Sequence, residues 1–151
     1  MEVESVGIVV GGRAEAHDDD WGAERAIVRL DADAFGAEAL AGLAEFSHIE
    51  VVYAFHLVAP HDVLTGARRP RDNPAWPAVG IFAQRGKARP NRLGVSRCRV
   101  RSVDGLDVHV AGLDAIDGTP VLDIKPYMAE FGPLGEVRQP EWATELMRDY
   151  Y

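Results

Sequence analysis

A single cysteine, Cys98, is all the thiol this chain carries. That excludes an internal disulfide and a thiolate metal cluster built by one chain. Long apolar runs are missing too. None approaches the roughly 20 residues that a membrane-crossing helix needs, and the opening Met1-Glu2-Val3-Glu4-Ser5 lacks the basic flank of a signal peptide. The expectation is a soluble, cytoplasmic protein with no membrane partner. Several common catalytic motifs are also absent. No Gly-x-Gly-x-x-Gly follows a strand and no Gly-x-x-x-x-Gly-Lys-Ser/Thr occurs, which removes support for dinucleotide and P-loop binding. No Gly-x-Ser-x-Gly elbow presents a serine. His48, His56 and His61 form no His-x-x-x-His pair, and the Asp18-Asp19-Asp20 run has no second ligand cluster beside it in sequence, so it reads as a solvated loop and no metal is expected.

What is present fits one core. At 151 residues and 47% hydrophobic, the chain reads as a single domain over residues 1–151, its core about 6–131 with a C-terminal helix over 140–151. Val6 to Val10, Ala26 to Leu30, Ile49 to Leu57, the stretch around Gly80, Ser96 to Val100, Leu106 to Val110 and Val121 to Ile124 have the apolar runs or period-two alternation of strands. Asp104-Gly105 marks a hairpin. Leu40, Leu43 and Phe46 recur at helical spacing within Gly36 to Phe46, which predicts an amphipathic helix. With about seven strands, two helices and no β-helix-β alternation, the expected fold class is mainly β: a small, mostly antiparallel β-barrel with about two peripheral α-helices. The inward phase of Ser96, Cys98 and Val100 predicts a buried thiol. His56, near the end of a central strand, reads as a core residue or as a ligand-facing one. Trp21 closes the core or stacks on a ring.

Charge is unevenly spread. The formal net charge is −8, yet His61 to Val103 carries ten cations against two acids, a net +8, while the rest of the chain has six cations against 22 acids, a net −16. Two readings are open: a basic face for an anionic partner, or arginines balanced by acids nearby in the fold. Two stretches stand out as chemistry-bearing loops after apolar strands. The first, Val79 to Gly94, holds Arg85, Lys87, Arg89 and Asn91; the second, Gly112 to Tyr127, holds Asp114, Asp117, Asp123 and Lys125. If they face each other they suit a zwitterionic ligand. Arg or backbone N–H groups would take a carboxylate, Asp an ammonium or ribose hydroxyl, and Leu93 and Ile116 would flank a flat ring. The alternative is that Arg85 and Asp117 pair to hold two loops together.

Gly80-Ile81-Phe82-Ala83-Gln84-Arg85-Gly86-Lys87-Ala88-Arg89-Pro90-Asn91-Arg92-Leu93-Gly94 resembles the Gly-Val-Phe-Ala-Thr-Arg-Ser-Pro-x-Arg-Pro-Asn-Pro-Ile-Gly signature of the TsaA-like (TrmO) family. Gly112-Leu113-Asp114 with Asp117-Gly118-Thr119-Pro120-Val121-Leu122-Asp123-Ile124-Lys125-Pro126-Tyr127 is similar to its second motif, and Phe46-Ser47-His48 and Phe55-His56 to its shorter landmarks. Gln84, Gly86, Lys87 and Arg92 depart from the pattern, and Asp18 to Trp21 stands where the family has Pro-Arg-Gln. The resemblance implies an S-adenosylmethionine-dependent methyltransferase, a homodimeric β-barrel with the cofactor near the subunit interface, N-methylating threonylcarbamoyladenosine in tRNA. By that resemblance His56, Leu57, Arg85, Leu93, Asp114, Ala115, Ile116 and Asp117 would line the cofactor. Arg89, Asn91, Lys125 and Tyr127 are expected to bind substrate, with no catalytic base identified. A methyltransferase for a small molecule and a non-catalytic nucleotide- or RNA-binding module using Arg97, Arg99 and Arg101 are the competing readings.

Overall fold

A computed structural model describes residues 2–151. Six strands close into an antiparallel barrel: β1 (Gly7–Val10), β2 (Arg25–Leu30), β3 (His48–Ala54), β6 (Leu93–Asp104), β7 (Asp107–Ala111) and β8 (Pro120–Pro126), in the order β1-β2-β7-β6-β3-β8. Two short strands, β4 (Ala67–Arg68) and β5 (Val79–Gly80), pair outside it, and one helix, α1 (Glu141–Leu146), follows. This is the mainly β class expected. Alternation drives the closure. Ile49, Val51 and Tyr53 of β3, Val108 and Val110 of β7, and Val9, Val28 and Val121 point inward and are almost fully buried, while the residues between them face out. Closing the sheet leaves no unpaired edge.

The β6–β7 hairpin turns at Asp104-Gly105 as predicted, with Gly105 at φ 58°, a left-handed conformation that glycine adopts without strain. The alternation of β6 breaks at Arg101, where the register with β7 shifts between Val100 and Ser102. This bulge leaves Arg101 without a cross-strand partner.

Two helix expectations are corrected. Gly36 to Phe46 forms two 3-10 turns, Ala37–Leu40 and Leu43–Glu45, split by Gly42 at φ 83°. A short segment interrupted by a left-handed residue cannot nucleate an α-helix. Its apolar positions still serve the core, since Leu40 is buried and Leu43 packs on the same cluster. The C-terminal helix expected over 140–151 spans Glu141–Leu146, and Pro140 caps it from outside rather than occupying its first turn. It stops because the next residues bond elsewhere: Asp20 N–H donates to the Asp149 carbonyl and Trp21 N–H to that of Tyr150, both at 2.8 Å. The strand expected to reach Leu57 ends at Ala54. His56 is exposed, so it is no core residue. Among the described residues no helix is long and apolar enough to cross a membrane.

Cys98 lies inside the barrel at 2% exposure. Burial, and then the Asp114 charge, pushes its thiol up to about 12. We expect no reaction of native protein with Ellman's reagent at pH 8, and one thiol titrating once denaturant is added. Prompt labelling of folded protein would contradict the inward register.

Candidate functional site

The antiparallel register sets the site. Ala54 pairs with Leu93 and Tyr53 with Val121, so the exit of β3, the entry of β6 and the link from β7 into β8 meet at one end of the barrel. Phe55 N–H donates to the Arg92 carbonyl at 2.8 Å. This keeps His56 and Leu57 beside Leu93 after β3 ends. A methyl group on Gly118 would sit 4.0 Å from His56 Nε2, so the imidazole lies over the Asp117-Gly118 turn. His56, Leu57, Leu93 and the 113–118 link thus share one end.

The two aspartates are held by their own chain. Asp114 accepts from the Tyr53 hydroxyl at 3.0 Å through Oδ1 and from the Tyr150 hydroxyl at 2.6 Å through Oδ2. Burial and the Asp114 charge hold both tyrosine hydroxyls far above the ordinary tyrosine range. Asp117 Oδ1 accepts from the Gly11 N–H at 2.7 Å, and its own N–H donates to the Arg13 carbonyl. The expected alternative of an Arg85–Asp117 pair is not formed. Arg85 donates instead to the Val95 carbonyl at 2.6 Å, with no carboxylate within 4.0 Å among the described residues. Its turn nevertheless comes close to the aspartate turn. Arg85 bonds the Val95 carbonyl, and the next residue, Ser96, accepts from Asp114 N–H at 3.5 Å. Burial and the Asp114 charge raise the Tyr151 hydroxyl at the same place.

The substrate residues expected from sequence divide between two places. Arg89 donates to the Gln84 carbonyl at 3.0 Å, and Asn91 stands at φ 64° in the turn before Leu93; both belong to the Arg85 loop. Lys125 pairs with Glu50 across the sheet, and Tyr127 N–H bonds the carbonyl of His48. That is the other end of β3, roughly 20 Å from Ala54 at the rise of a strand. There Lys125 meets Asp123 at 2.5 Å, and Arg97 covers the Tyr127 ring at 4.6 Å.

Sequence reasoning did not single out Tyr53 or Arg13 for any role at this end. Tyr53 read only as a strand aromatic. Tyr150 read only as a helix side chain, and 36 residues separate it from Asp114. Arg13 is a buried arginine that stacks on Trp21 at 3.8 Å, pairs with Glu24 at 3.0 Å and donates to the carbonyls of His17, Asp19 and Asp20. Trp21, 5% exposed, closes the core. The carboxylates of Asp18 and Asp19 turn to Arg71.

Chemically, this end offers exposed apolar Leu57 and Leu93 for a flat ring and the unpaired Arg85 for a carboxylate. It also offers backbone. Ala115 and Ile116 are buried, and among the described residues their N–H groups have no protein acceptor. Two backbone donors without a protein partner in one link fit a ligand bearing acceptors.

The family model described as tRNA-methyltransferase O N-terminal domain matches residues 19–132. The tRNA (adenine(37)-N6)-methyltransferase of Mus musculus is 41% identical over 92 residues, 61% of this chain and 21% of that protein. That of Escherichia coli is 36% identical over 100 residues, 61% and 40%. A protein of Methanothermobacter thermautotrophicus, named probable S-adenosyl-L-methionine-binding protein, is 43% identical over 103 residues, 65% and 67%. A crystal structure of TrmO aligns with TM-score 0.75 and 28% identity over 92% of this chain and 62% of that one; one from Pseudomonas aeruginosa gives 0.72, 26%, 91% and 60%. The chain thus spans about a fifth of the length of the mammalian relatives. With the barrel, the two ordered motifs and a family match over most of its residues, the chain belongs to the tRNA-methyltransferase O N-terminal domain family.

Proposed function

We propose that this chain is an S-adenosylmethionine-dependent methyltransferase that N-methylates an adenosine of tRNA, with threonylcarbamoyladenosine as the acceptor and a homodimer as the working form. The observation that carries the reading is the gathering of His56, Leu57, Leu93, Arg85 and the 113–118 link at one end of the barrel, with two unpaired backbone donors in that link. The cofactor supplies a methyl group activated on a sulfonium. The residues fit its parts: Leu57 and Leu93 flank the adenine, the N–H groups of Ala115 and Ile116 donate to ring nitrogens, and Arg85 takes the carboxylate. The charge of Asp114 is fixed in place by two tyrosines and favours a nearby cation without moving. Methyl transfer is a displacement at carbon, so alignment of acceptor and donor matters more than a strong base. Exposed Leu57, Leu93 and Val95 lie along this end of β3 and β6 and form the apolar surface a second copy would cover.

Arg85→Ala should weaken S-adenosylmethionine binding by roughly tenfold or more, the worth of one charged hydrogen bond, when measured by calorimetry. Asp117→Ala should also weaken it, beyond any loss of stability, by freeing the Gly11 strand end. Unchanged affinity in a folded Asp117→Ala protein removes that residue from the site. Mass spectrometry of tRNA nucleosides from cells lacking the protein tests the acceptor: an unchanged profile of methylated adenosines overturns it.

A further inference from the structure

The arginines of β2 and β6 divide into two groups. Arg29 and Arg97 each have a carboxylate within 4.0 Å. Arg25, Arg99 and Arg101 have none among the described residues, and their side chains make no hydrogen bond within the chain. The barrel gathers these three. Ala111 of β7 pairs with Arg25 of β2 on one side and Arg99 of β6 on the other. Two guanidiniums thus extend from one row with only a methyl group between them, their Cα atoms about 10 Å apart at the usual strand spacing. One row along, His109 faces Ile27 and Ser102, and the bulge adds Arg101 to the same outer face. Arg25, Arg101, Ser102 and His109 line a groove of about 380 Å³ together with Gly11, Gly12 and the small or half-buried apolar Ala26 and Ile27.

Three exposed, adjacent guanidiniums without a carboxylate partner make a local positive patch on a chain of net charge −8. Their like charges repel until an anion arrives. No side chain of β2 or β7 is among the large exposed apolar ones, and those of β6, Leu93 and Val95, precede its arginines by several residues, so the patch around Arg25, Arg99 and Arg101 offers little of the apolar anchor that a lipid surface or a protein hot spot would use. A groove of separated guanidiniums with little apolar anchor matches a sugar-phosphate backbone. Its link to the proposed site runs through β7: Gly112 N–H donates to the Glu24 carbonyl, and Ala111 is three residues, at most about 11 Å of chain, from Asp114, while Arg99, opposite His48, lies about 20 Å along β6 from Leu93.

We propose that the outer face of β2, β7 and β6, through Arg25, Arg99 and Arg101, docks the phosphate backbone of the RNA substrate and sets its approach to the site. This rests on the reading that the acceptor is a tRNA nucleoside. The test is filter binding of a tRNA transcript, without methyl donor, across a series of KCl concentrations. The wild-type chain is compared with Arg25→Gln/Arg99→Gln/Arg101→Gln and with the matching triple lysine variant. Losing three phosphate contacts should reduce the slope of log affinity against log salt by about 2–3 and lower affinity by roughly tenfold or more near 0.1 M salt. The lysine variant should keep most of the slope, since the slope reports charge. S-adenosylmethionine affinity and melting temperature should match wild type in both variants, because these side chains hold nothing in the fold. A triple glutamine variant with the wild-type slope overturns the proposal, as does a wild-type chain with no salt-dependent tRNA binding. Bound tRNA that is released by the glutamine changes yet never methylated would sustain this face and overturn the methyltransferase reading instead.

Discussion

Asp114→Ala is expected to destabilise the protein by about 3–5 kcal/mol, because it strips the shared acceptor from two tyrosine hydroxyls and each hydrogen bond to a charged group contributes roughly 1.5–3 kcal/mol. Tyr53, 2% exposed, would keep only the Asp114 backbone carbonyl, at 3.0 Å. Tyr150 would lose its link to the Asp114 carboxylate, leaving the 149–151 segment held only by its backbone hydrogen bonds to Asp20 and Trp21. For a chain of this size the melting temperature should fall by roughly 6–20 °C. Asp114→Asn keeps an acceptor for Tyr53 and should lie between alanine and wild type, while Tyr150→Phe should cost the least. The pH profile gives a second check. The folded Tyr53 hydroxyl stays protonated above its ordinary value of 10.0, while the unfolded chain ionises there. The native state then binds more protons, and stability present below pH 10 is lost as pH rises further. Tyr53 contributes up to about 1.4 kcal/mol per pH unit to that loss. Burial is the first cause of the shift and survives in Asp114→Asn, so the variant should soften the alkaline loss without abolishing it. A melting temperature for Asp114→Ala within 2 °C of wild type would show that the carboxylate does not hold the tyrosines.

Gly94→Ala should cost about 3 kcal/mol or more, at the upper end for overpacking a closed interior. Gly94 is the direct partner of Tyr53 across β3 and β6, and a Cβ there would fall 2.4 Å from Tyr53 Cε2 and 2.5 Å from Cζ. Either the ring or the strand must move. The ring is anchored at its hydroxyl by Asp114, so the displacement is passed to the 113–118 link. We therefore expect lower stability together with weaker cofactor binding, since Leu93 adjoins the distorted position. Shrinking the neighbour should rescue the packing: Gly94→Ala with Tyr53→Leu should cost less than the two single changes added, as contacting residues couple. Strict additivity in chemical denaturation would show that the ring does not cover Gly94.

The barrel was legible because its signal is local. The alternation in β3, β6 and β7 assigns inside and outside residue by residue, and Asp104-Gly105 fixes one hairpin. The 36–46 segment misled because leucine spacing reports which face is buried, not whether the backbone can complete α-helical turns through Gly42. The His56 and Leu57 positions were overextended as strand for a related reason: apolar character continues past the point where Phe55 bonds to Arg92 and the chain turns out. Arginine pairing was not legible at all. Nothing in the order of residues distinguishes Arg97, matched by Glu50, from Arg99, two positions on and unmatched.

By itself the sequence determined the mainly β class, the inward phase of Cys98, the exclusion of an internal disulfide and the two loops that carry the polar groups, all of which follow from periodicity and residue type along short windows. Tertiary structure alone decided that Asp114 is clasped by Tyr53 and Tyr150, that Asp117 holds Gly11 instead of Arg85, that Lys125 and Tyr127 stand at the far end of β3 from Asn91, and that three unpaired arginines share one face. These are matters of register and closure. Strand pairing brings together residues dozens of positions apart, and a one-residue shift such as the bulge at Arg101 changes which side chains meet.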